Sequence, residues 1–504
     1  MDPNLPPDQF LYGRKGPWPQ PSPAHPLLEA MEVLNIPPIE SMLWNATIGN
    51  RYLQTQVLYP PKAAGLAVAA AAYTTPDDPR FEQIMLTTSY QRFLLPVSAL
   101  DQGRLSADPL FKGQDLPAYK YDFSAMEEVT PLDGFFCART IVFFSGTPGA
   151  KLSCRAIQVN DLLIGPNHSA WGLAKIYALQ GAAYQTLFVV HPALHFPMDS
   201  VNAITKTAVP HTHPLFQLLY PHTSYTLALD NAVQESDQSV VNDHARGTWF
   251  DPLTSNAYNL KLLFGAGYSG LAHKPYGDAY PRYDYMNPPV LGLSKNARNA
   301  PVYSMPYSQW LRAYYERAFL PFCATVAKKI LLEDKAENGY VARWARYLHV
   351  SVHGFPDEKE ILDAECLAQA MAIYLWDVTV SHGADHNSFA GISAVDKFLR
   401  IRRAPPTTTN DPPVKPGEIS TGDDRYRAEM AQAMFFTPAA IPPNLNDTRY
   451  AFLDPDLSAA QGTFNANLLI VSQDTSLTQY MPLVPTVKGT DTNFALTIPA
   501  SIQY

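Results

Sequence analysis

Two pairs of histidines have a spacing that could build a metal site. One pair is His191 and His195, and the other is His382 and His386. Residues four apart lie on the same face of an α-helix, so each pair could present two imidazoles to one metal ion. The second pair follows the apolar stretch 366–380, which places its rings in or near the core. A buried imidazole needs a partner for its polar atoms, and a metal ion is one such partner.

The residues beside these histidines limit the chemistry. A zinc peptidase of the HExxH type needs a glutamate directly after the first histidine as its general base. Pro192 and Gly383 occupy the corresponding positions, so an unrelated zinc hydrolase is disfavoured. Four imidazoles without a thiolate suit iron, manganese, copper or zinc about equally. For each pair taken alone, a hydrogen-bonded core pair is the alternative to a metal site.

The composition is that of a globular protein with a large core. The chain has 504 residues, of which 46% are hydrophobic and 16% charged, and this excludes a disordered, collagen-like or coiled-coil chain. The net charge of −9 argues against a nucleic-acid partner, which would need a basic face. Four widely spaced cysteines without a CxxC pair predict reduced thiols. No signal-peptide pattern begins the sequence, so we expect a cytoplasmic protein.

Long apolar helices are predicted to position the histidines. Residues 1–40 are rich in proline and predict an irregular arm that lies on the surface or wraps another element, with a disordered tail as the alternative. We expect a mixed α/β subregion over residues 41–165 and a helical core over residues 166–504. Strands are predicted near residues 141–144 and 155–160. The hydrophobic period predicts helices over residues 169–190, 193–206, 213–234, 307–331 and 362–387.

Four segments resemble the lipoxygenase family, in the order in which that family carries them. Residues 171–177 are similar to its W-L-L-A-K helix, and residues 213–227 are similar to its H-P-I-Y-K-L-L-x-P-H-x-R-Y-T run. Trp376 with the second histidine pair resembles its W-x5-H-x3-N/H helix. Residues 496–504 resemble its C-terminal I-P-N-S-I-x-I ending. The regions between these segments are not recognisably similar.

The resemblance implies a fold and a metal. The fold would be mainly α, with one large lipoxygenase-like catalytic domain over residues 41–504, a small β subregion and no N-terminal β-barrel lipid-binding domain. The metal would be non-haem iron, or manganese as in a few members. His213 and His222 belong to the family motif, and we expect them to make structural hydrogen bonds. Carried over onto this sequence, the metal ligands are His191, His195, His382, His386 and the main-chain carboxylate of Tyr504.

The first histidine pair departs from the family pattern. The family usually has H-x4-H, and a five-residue separation needs a π-type bulge to bring both rings to one side. The four-residue separation of His191 and His195 works in an ordinary α-helix, so the bulge is no longer needed. Pro192 lacks a backbone N–H and disfavours helical geometry at the residue before it, so we expect a kink or a helix restart there. The chain also ends in Tyr504 rather than isoleucine, but ligation would use only its main-chain carboxylate.

The resemblance further implies a reaction. Its substrates would be O2 and a polyunsaturated fatty acid with a cis,cis-1,4-pentadiene, such as linoleate, and its product a lipid hydroperoxide. It implies that no side chain is catalytic and that the hydroxide on the metal does the chemistry. It also implies transient contact with a membrane surface. Two alternatives stay open. One is a metal-dependent oxygenase or hydroperoxide-converting relative that acts on another lipid or alkene, and the other is a non-catalytic lipid-binding relative.

Three residues are expected to contact or steer the substrate. The family's determinant of oxygenation position falls on Val233 by ungapped counting from His213, or on Ala232 with a one-residue shift. A valine there favours an S-type product, because it fills space that glycine leaves for oxygen. Arg400 lies after the second ligand helix, where some relatives place a carboxylate anchor, and a solvated basic cluster is the alternative.

Overall fold

An unusually apolar segment forms the centre of the molecule. Almost every side chain of the helix Trp171–Gln185 is buried, because the small and aromatic residues along it allow packing on all of its faces. The computed structural model describes residues 14–18, 31–58, 75–224, 226–235, 253–254, 263, 265, 281–288, 293, 300–336, 338–393, 396–415, 417–432, 444–478 and 498–502.

The described residues are mainly helical, which confirms the predicted fold class. Longer helices alternate with single turns of 3₁₀-helix at Ser89–Phe93, Pro109–Phe111, Ser124–Glu128, Tyr220–His222, Glu360–Leu362 and Leu445–Asp447. The α-helices are α1 (Pro38–Leu58), α2 (Asp78–Thr87), α3 (Ala99–Ala107), α4 (Trp171–Gln185), α5 (His191–Ala208), α6 (Pro214–Leu219), α7 (Thr226–Glu235), α8 (Ala300–Tyr303), α9 (Pro306–Tyr314), α10 (Leu320–Glu333), α11 (Tyr340–Ser351), α12 (Ala364–Trp376), α13 (His382–Gly391), α14 (Gly422–Ala431), α15 (Pro455–Gln473) and α16 (Thr475–Thr478).

The predicted β subregion is a five-stranded antiparallel sheet. Its strands follow one another in chain order, from β3 to β7, and α4 packs against the middle three. A separate antiparallel pair, β1 and β2, lies within the proline-rich arm, and β2 contacts α5 and α7. The strands are β1 (Arg14–Trp18), β2 (Met31–Leu34), β3 (Leu95–Pro96), β4 (Tyr119–Phe123), β5 (Thr140–Thr147), β6 (Lys151–Val159) and β7 (Leu162–Ile164).

The predicted helices over residues 307–331 and 362–387 each contain a wider π turn, and a third π turn joins the helices predicted separately over residues 169–190 and 193–206. The turns at Thr186–Val190, Tyr315–Phe319 and Asp377–Ser381 join α4 to α5, α9 to α10 and α12 to α13. The predicted helix over residues 213–234 is instead broken between α6 and α7, where Pro221 and the 3₁₀ turn interrupt it. No helix among the described residues has both the length and the apolar composition that a membrane crossing requires.

Two large apolar cores meet beside the central helices. A helical core contains Leu194, Met198 and Ala384, and a core between the sheet and α4 contains Val190 and Phe389. Both cores therefore reach the two helices that carry the histidine pairs. The histidines are on these helices, at the seam between the two cores, and three of the four are buried.

Substitution of Gly181 on α4 tests how closely this helix packs against the sheet. A Cβ atom there would lie 2.8 Å from the Cβ of Phe123 on β4, which is too close. We expect Gly181→Val to lower the free energy of unfolding by about 1–3 kcal/mol through overpacking. The matched control is Gly462→Ala on exposed α15, where a Cβ meets nothing within 4 Å. That substitution should instead raise stability by about 0.5–1 kcal/mol, because alanine favours a helix. Urea unfolding followed by circular dichroism measures both, and equal shifts in one direction would contradict the packing argument.

Candidate metal centre

Each histidine pair begins a helix directly after a π turn. His191 and His195 lie on the first turns of α5, and His382 and His386 lie on the first turns of α13. The N–H of His191 donates to the carbonyl of Thr186 five residues earlier, and α13 begins in the same way. The wider turn ends where the four-residue spacing begins, so both rings of a pair face one side.

The π turn before His191 corrects the expectations about this helix. The bulge is retained one turn ahead of the pair, and the helix continues through Pro192 without a restart. A proline in a regular α-helix clashes with the carbonyl four residues earlier, here that of Phe188. The wider turn moves that carbonyl away from the ring. The same pattern recurs where Pro321 follows the π turn at Tyr315–Phe319.

The four predicted histidines come together in the structure. One ligand atom from each of His191, His195, His382 and His386 lies within 4.8 Å of the other three. The Nε2 atom of His195 is 2.9 Å from that of His191 and 2.7 Å from that of His382. The ring centroid of His386 is 4.7 Å from that of His191 and 4.6 Å from that of His382. The two pairs thus form one centre.

Burial keeps three of these imidazoles neutral. Removal from water lowers the pKa of His195 to about 3. Burial and the neighbouring imidazoles lower the pKa of His191 and lower that of His382 well below its usual value. A neutral imidazole has a free lone pair, which is the form that binds a metal.

A carboxylate supports His191 from behind. The Nδ1–H of His191 donates to Oδ2 of Asp385 at 2.7 Å, and a guanidinium nitrogen of Arg92 lies 2.6 Å from Oδ1 of the same carboxylate. Burial alone would raise the pKa of Asp385, but Arg92 and His191 outweigh it and hold that pKa at about 2. The ionised carboxylate keeps the proton of His191 on Nδ1, so the lone pair of that ring is on Nε2.

A pair of acids supports His195. The Nδ1–H of His195 donates to Oδ1 of Asp230 at 2.8 Å. Burial and the neighbouring Asp230 raise the pKa of Asp199 well above its usual value, so Asp199 carries a proton that it donates to Asp230. Burial raises the pKa of Asp230 to about 8, and the hydrogen bond from Asp199 opposes that rise. The Oδ1 atom of Asp230 accepts the ring proton of His195, so the lone pair of that ring is on Nε2.

The facing ring nitrogens fit a bound cation. Because Asp385 and Asp230 accept the Nδ1 protons of His191 and His195, the Nε2 atoms of these rings face each other with lone pairs at 2.9 Å. Two lone pairs repel at that distance, and a cation coordinated by both turns the contact into an attraction. Imidazole nitrogens suit iron, manganese, copper and zinc. The donor set therefore fits a transition metal.

The segment that leads to the predicted fifth ligand is held in the core, but that ligand lies outside the described residues. His222 is fully buried, and its Nδ1–H donates to the carbonyl of Ala500. Its Nε2 lies 3.0 Å from the hydroxyl of Tyr450, and its carbonyl accepts from Oγ of Ser501 at 2.9 Å. His222 thus makes structural hydrogen bonds, as expected. The structure does not describe Tyr504, so its carboxylate stays a prediction.

His213 is also a structural residue. Its Nδ1 accepts from the N–H of Leu215 and caps the start of α6. Its Nε2 lies 3.2 Å from a carboxylate oxygen of Asp334. Neither atom faces the histidine centre, which agrees with the expected structural role.

The predicted substrate residues lie in different settings. Val233 on α7 packs against both apolar cores, whereas Ala232 packs only against the helical core. Arg400 is paired with Asp424, with Nε 3.3 Å from Oδ1, and its guanidinium lies 4.2 Å over the ring of Phe135. A carboxylate partner is therefore already supplied to Arg400 by the protein.

Sequence reasoning missed the groups that support the histidines. Asp385 lies inside the second histidine pair and could have been suspected, because a carboxylate commonly accepts the second ring N–H of a metal-binding histidine. Asp230 and Arg92 are distant in sequence from the rings that they serve. No local pattern marks either of them.

Comparison with solved structures shows that the chain shares the lipoxygenase fold. Manganese lipoxygenase of Gaeumannomyces graminis is similar over 99% of this chain and 99% of its own, at 17% identity and a TM-score of 0.66. A lipoxygenase variant, Delta413-417:GS, in complex with arachidonate matches 92% of this chain and 73% of its own, at 15% identity and 0.65. A fungal lipoxygenase from Fusarium graminearum matches 84% of this chain and 79% of its own, at 15% identity and 0.60.

These likenesses confirm the expected resemblance at the level of the fold. No protein-family model matches the sequence, and no curated protein matches it either.

Proposed function

We propose that this protein is a lipoxygenase-type dioxygenase that uses a non-haem metal to add O2 to a polyunsaturated fatty acid. The observation that carries the proposal is the convergence of four imidazoles on one point, with aspartate side chains behind two of them. The lipoxygenase fold around this centre supports the same conclusion. At this degree of sequence identity the fold alone would not be enough to assign a function, because one fold hosts many functions.

His191, His195, His382 and His386 would hold the metal, and the main-chain carboxylate of Tyr504 stays the predicted fifth ligand. We propose iron, with manganese as the second choice, because nitrogen and oxygen donors suit both and a manganese lipoxygenase shares the fold. When bound, such a metal supplies the one-electron oxidation that a bis-allylic C–H bond requires. The protein's own residues keep the imidazoles neutral, orient them and exclude water.

The setting of the centre supports an apolar substrate. The histidines lie at the seam of two apolar cores, to which Leu194 on α5 and Phe389 on α13 belong. A diene within a long acyl chain is compatible with such surroundings, whereas a polar substrate would lose its hydration without gaining partners. A lipoxygenase of the same fold has been crystallised with arachidonate. We therefore propose a fatty acid with a cis,cis-1,4-pentadiene, such as linoleate.

The test begins with the metal content of the purified protein, measured by elemental mass spectrometry without added metal. We expect near-stoichiometric iron or manganese. Linoleate should then give O2 uptake and a conjugated diene in equal amounts, whereas oleate, which has no pentadiene, should give neither.

Two results would contradict the proposal. One is a folded protein that holds zinc or no metal after iron reconstitution. The other is linoleate binding without O2 uptake by the metal-loaded protein, which would favour a non-catalytic lipid-binding relative.

A further inference from the structure

A chain of three buried side chains runs from a turn beside the sheet to the metal centre. Arg92 contacts Asp385 at 2.6 Å, and Asp385 accepts from His191 at 2.7 Å. The side chain of Arg92 is 1% exposed and that of Asp385 is 2% exposed. Removing both charges from water costs several kcal/mol per ion, and the attraction between them offsets that cost only where their geometry is good.

The turn that carries Arg92 is fixed against the helix that carries Asp385. The N–H of Ser89 donates to Oγ of Ser388 on α13 at 2.7 Å. The side-chain oxygen of Gln91 accepts from the N–H of Tyr307 at 2.9 Å, which ties the same turn to α9. Arg92 directly follows Gln91 in the same turn. The backbone that carries its side chain is therefore held against α9 and α13.

The acid behind the other histidine of the pair has a different partner. Asp230 accepts from His195 at 2.8 Å, but it is backed by the carboxyl of Asp199. Asp385 is instead backed by a cation. Of the two supporting acids, Asp385 alone is thus paired with an opposite charge that fixes its orientation.

We infer that Arg92 and Asp385 are positioning residues that set the metal affinity of the centre through His191. Arg92 orients the Asp385 carboxylate, and the carboxylate orients the His191 ring and keeps its proton on Nδ1. The lone pair on Nε2 is then directed at the metal. The inference rests on the proposed metal centre and adds to it a pair of residues that do not touch the metal.

The measurement is the dissociation constant for Mn²⁺, obtained by chelator competition on metal-stripped protein. We expect Asp385→Asn to weaken Mn²⁺ binding by about 10–100-fold, the effect typical of a carboxylate behind a metal-binding histidine. Arg92→Met should weaken it too, and Arg92→Lys should recover most of the loss. The electron paramagnetic resonance spectrum of bound Mn²⁺ should change in Asp385→Asn, because the orientation of one ligand changes. A residue that only stabilised the fold would leave that spectrum unaltered.

The double variant Arg92→Met/Asp385→Asn covers the case in which a single variant fails to fold. It removes the buried cation together with the charge of its partner, so no unpaired charge is left in the core. It should bind Mn²⁺ no more weakly than Asp385→Asn alone, since the pair acts as one unit. The matched control is Asp101→Asn. Asp101 on α3 is a buried carboxylate that lies 2.7 Å from the Nζ atom of Lys120. Its loss should leave Mn²⁺ binding unchanged.

The outcomes separate the two proposals. Wild-type affinity and spectrum in folded Asp385→Asn, or in the folded double variant, would overturn the positioning role while leaving the metal centre intact. Absence of Mn²⁺ binding by the wild-type protein, after iron has also failed to bind, would overturn the metal centre and the positioning role with it.

Discussion

Purified His382→Ala is expected to carry almost no metal and to oxygenate linoleate at the background rate. The Nε2 atom of His382 is 2.7 Å from that of His195, and its ring centroid lies within 5.0 Å of those of the other three histidines. Alanine would remove a donor from the middle of the centre. The loss of metal affinity should exceed the ~10–100-fold that is typical of a lost supporting residue.

His195→Ala should behave in the same way, because its Nε2 lies between those of His191 and His382. The matched control is His349→Ala. His349 donates from Nδ1 to the carbonyl of Phe355 at 2.7 Å and takes no part in the centre. Elemental mass spectrometry and O2 uptake measure all three variants. Stoichiometric metal in folded His382→Ala would show that the ligand assignment is wrong.

The histidine centre could be predicted from sequence because its pattern is local. His191 and His195 are four residues apart, as are His382 and His386, and a helix alone brings each pair to one face. The joining of the two pairs is not local, and it entered through the resemblance rather than through the spacing. The structure confirms that they meet.

The supporting residues could not be predicted in the same way. His191 and Asp385 are 194 positions apart, and His195 and Asp230 are 35 apart. Such contacts depend on how whole helices pack, which a single sequence does not encode in any short pattern. Arg92 is the extreme case, since it comes from a turn beside the sheet. A buried arginine cannot be distinguished from a surface one by its neighbours in the chain.

The π turn before His191 was missed for another reason. Pro192 predicts a break, because a proline disrupts a regular α-helix. The helix nevertheless runs from α4 through the wider turn into α5. The spacing of the histidines carries no information on how the backbone accommodates the proline. A proline just after a π turn is thus compatible with an unbroken helix here.

Val233→Gly is expected to change which hydroperoxide predominates. Val233 packs against both apolar cores, so its isopropyl group fills space between them. Glycine would open space at that point, and O2 could then reach a different carbon or face of the substrate radical. We expect the major product from linoleate to shift from the S hydroperoxide toward the regioisomer of opposite configuration. Chiral-phase chromatography of the reduced products measures the shift.

Ala232→Gly is the matched control and also decides between the two alignments of this segment. Both substitutions introduce a glycine at neighbouring positions of α7, and the helix penalty is about 1 kcal/mol for Ala232→Gly and smaller for Val233→Gly, because valine is a weaker helix former than alanine. Ala232 packs only against the helical core, and its loss opens no space at the seam. A product shift in Val233→Gly alone would assign the steering role to Val233. A product shift in Ala232→Gly alone would assign the steering role to Ala232. The space that O2 uses would then lie on the side of α7 that faces the helical core, and Val233 would only fill the core.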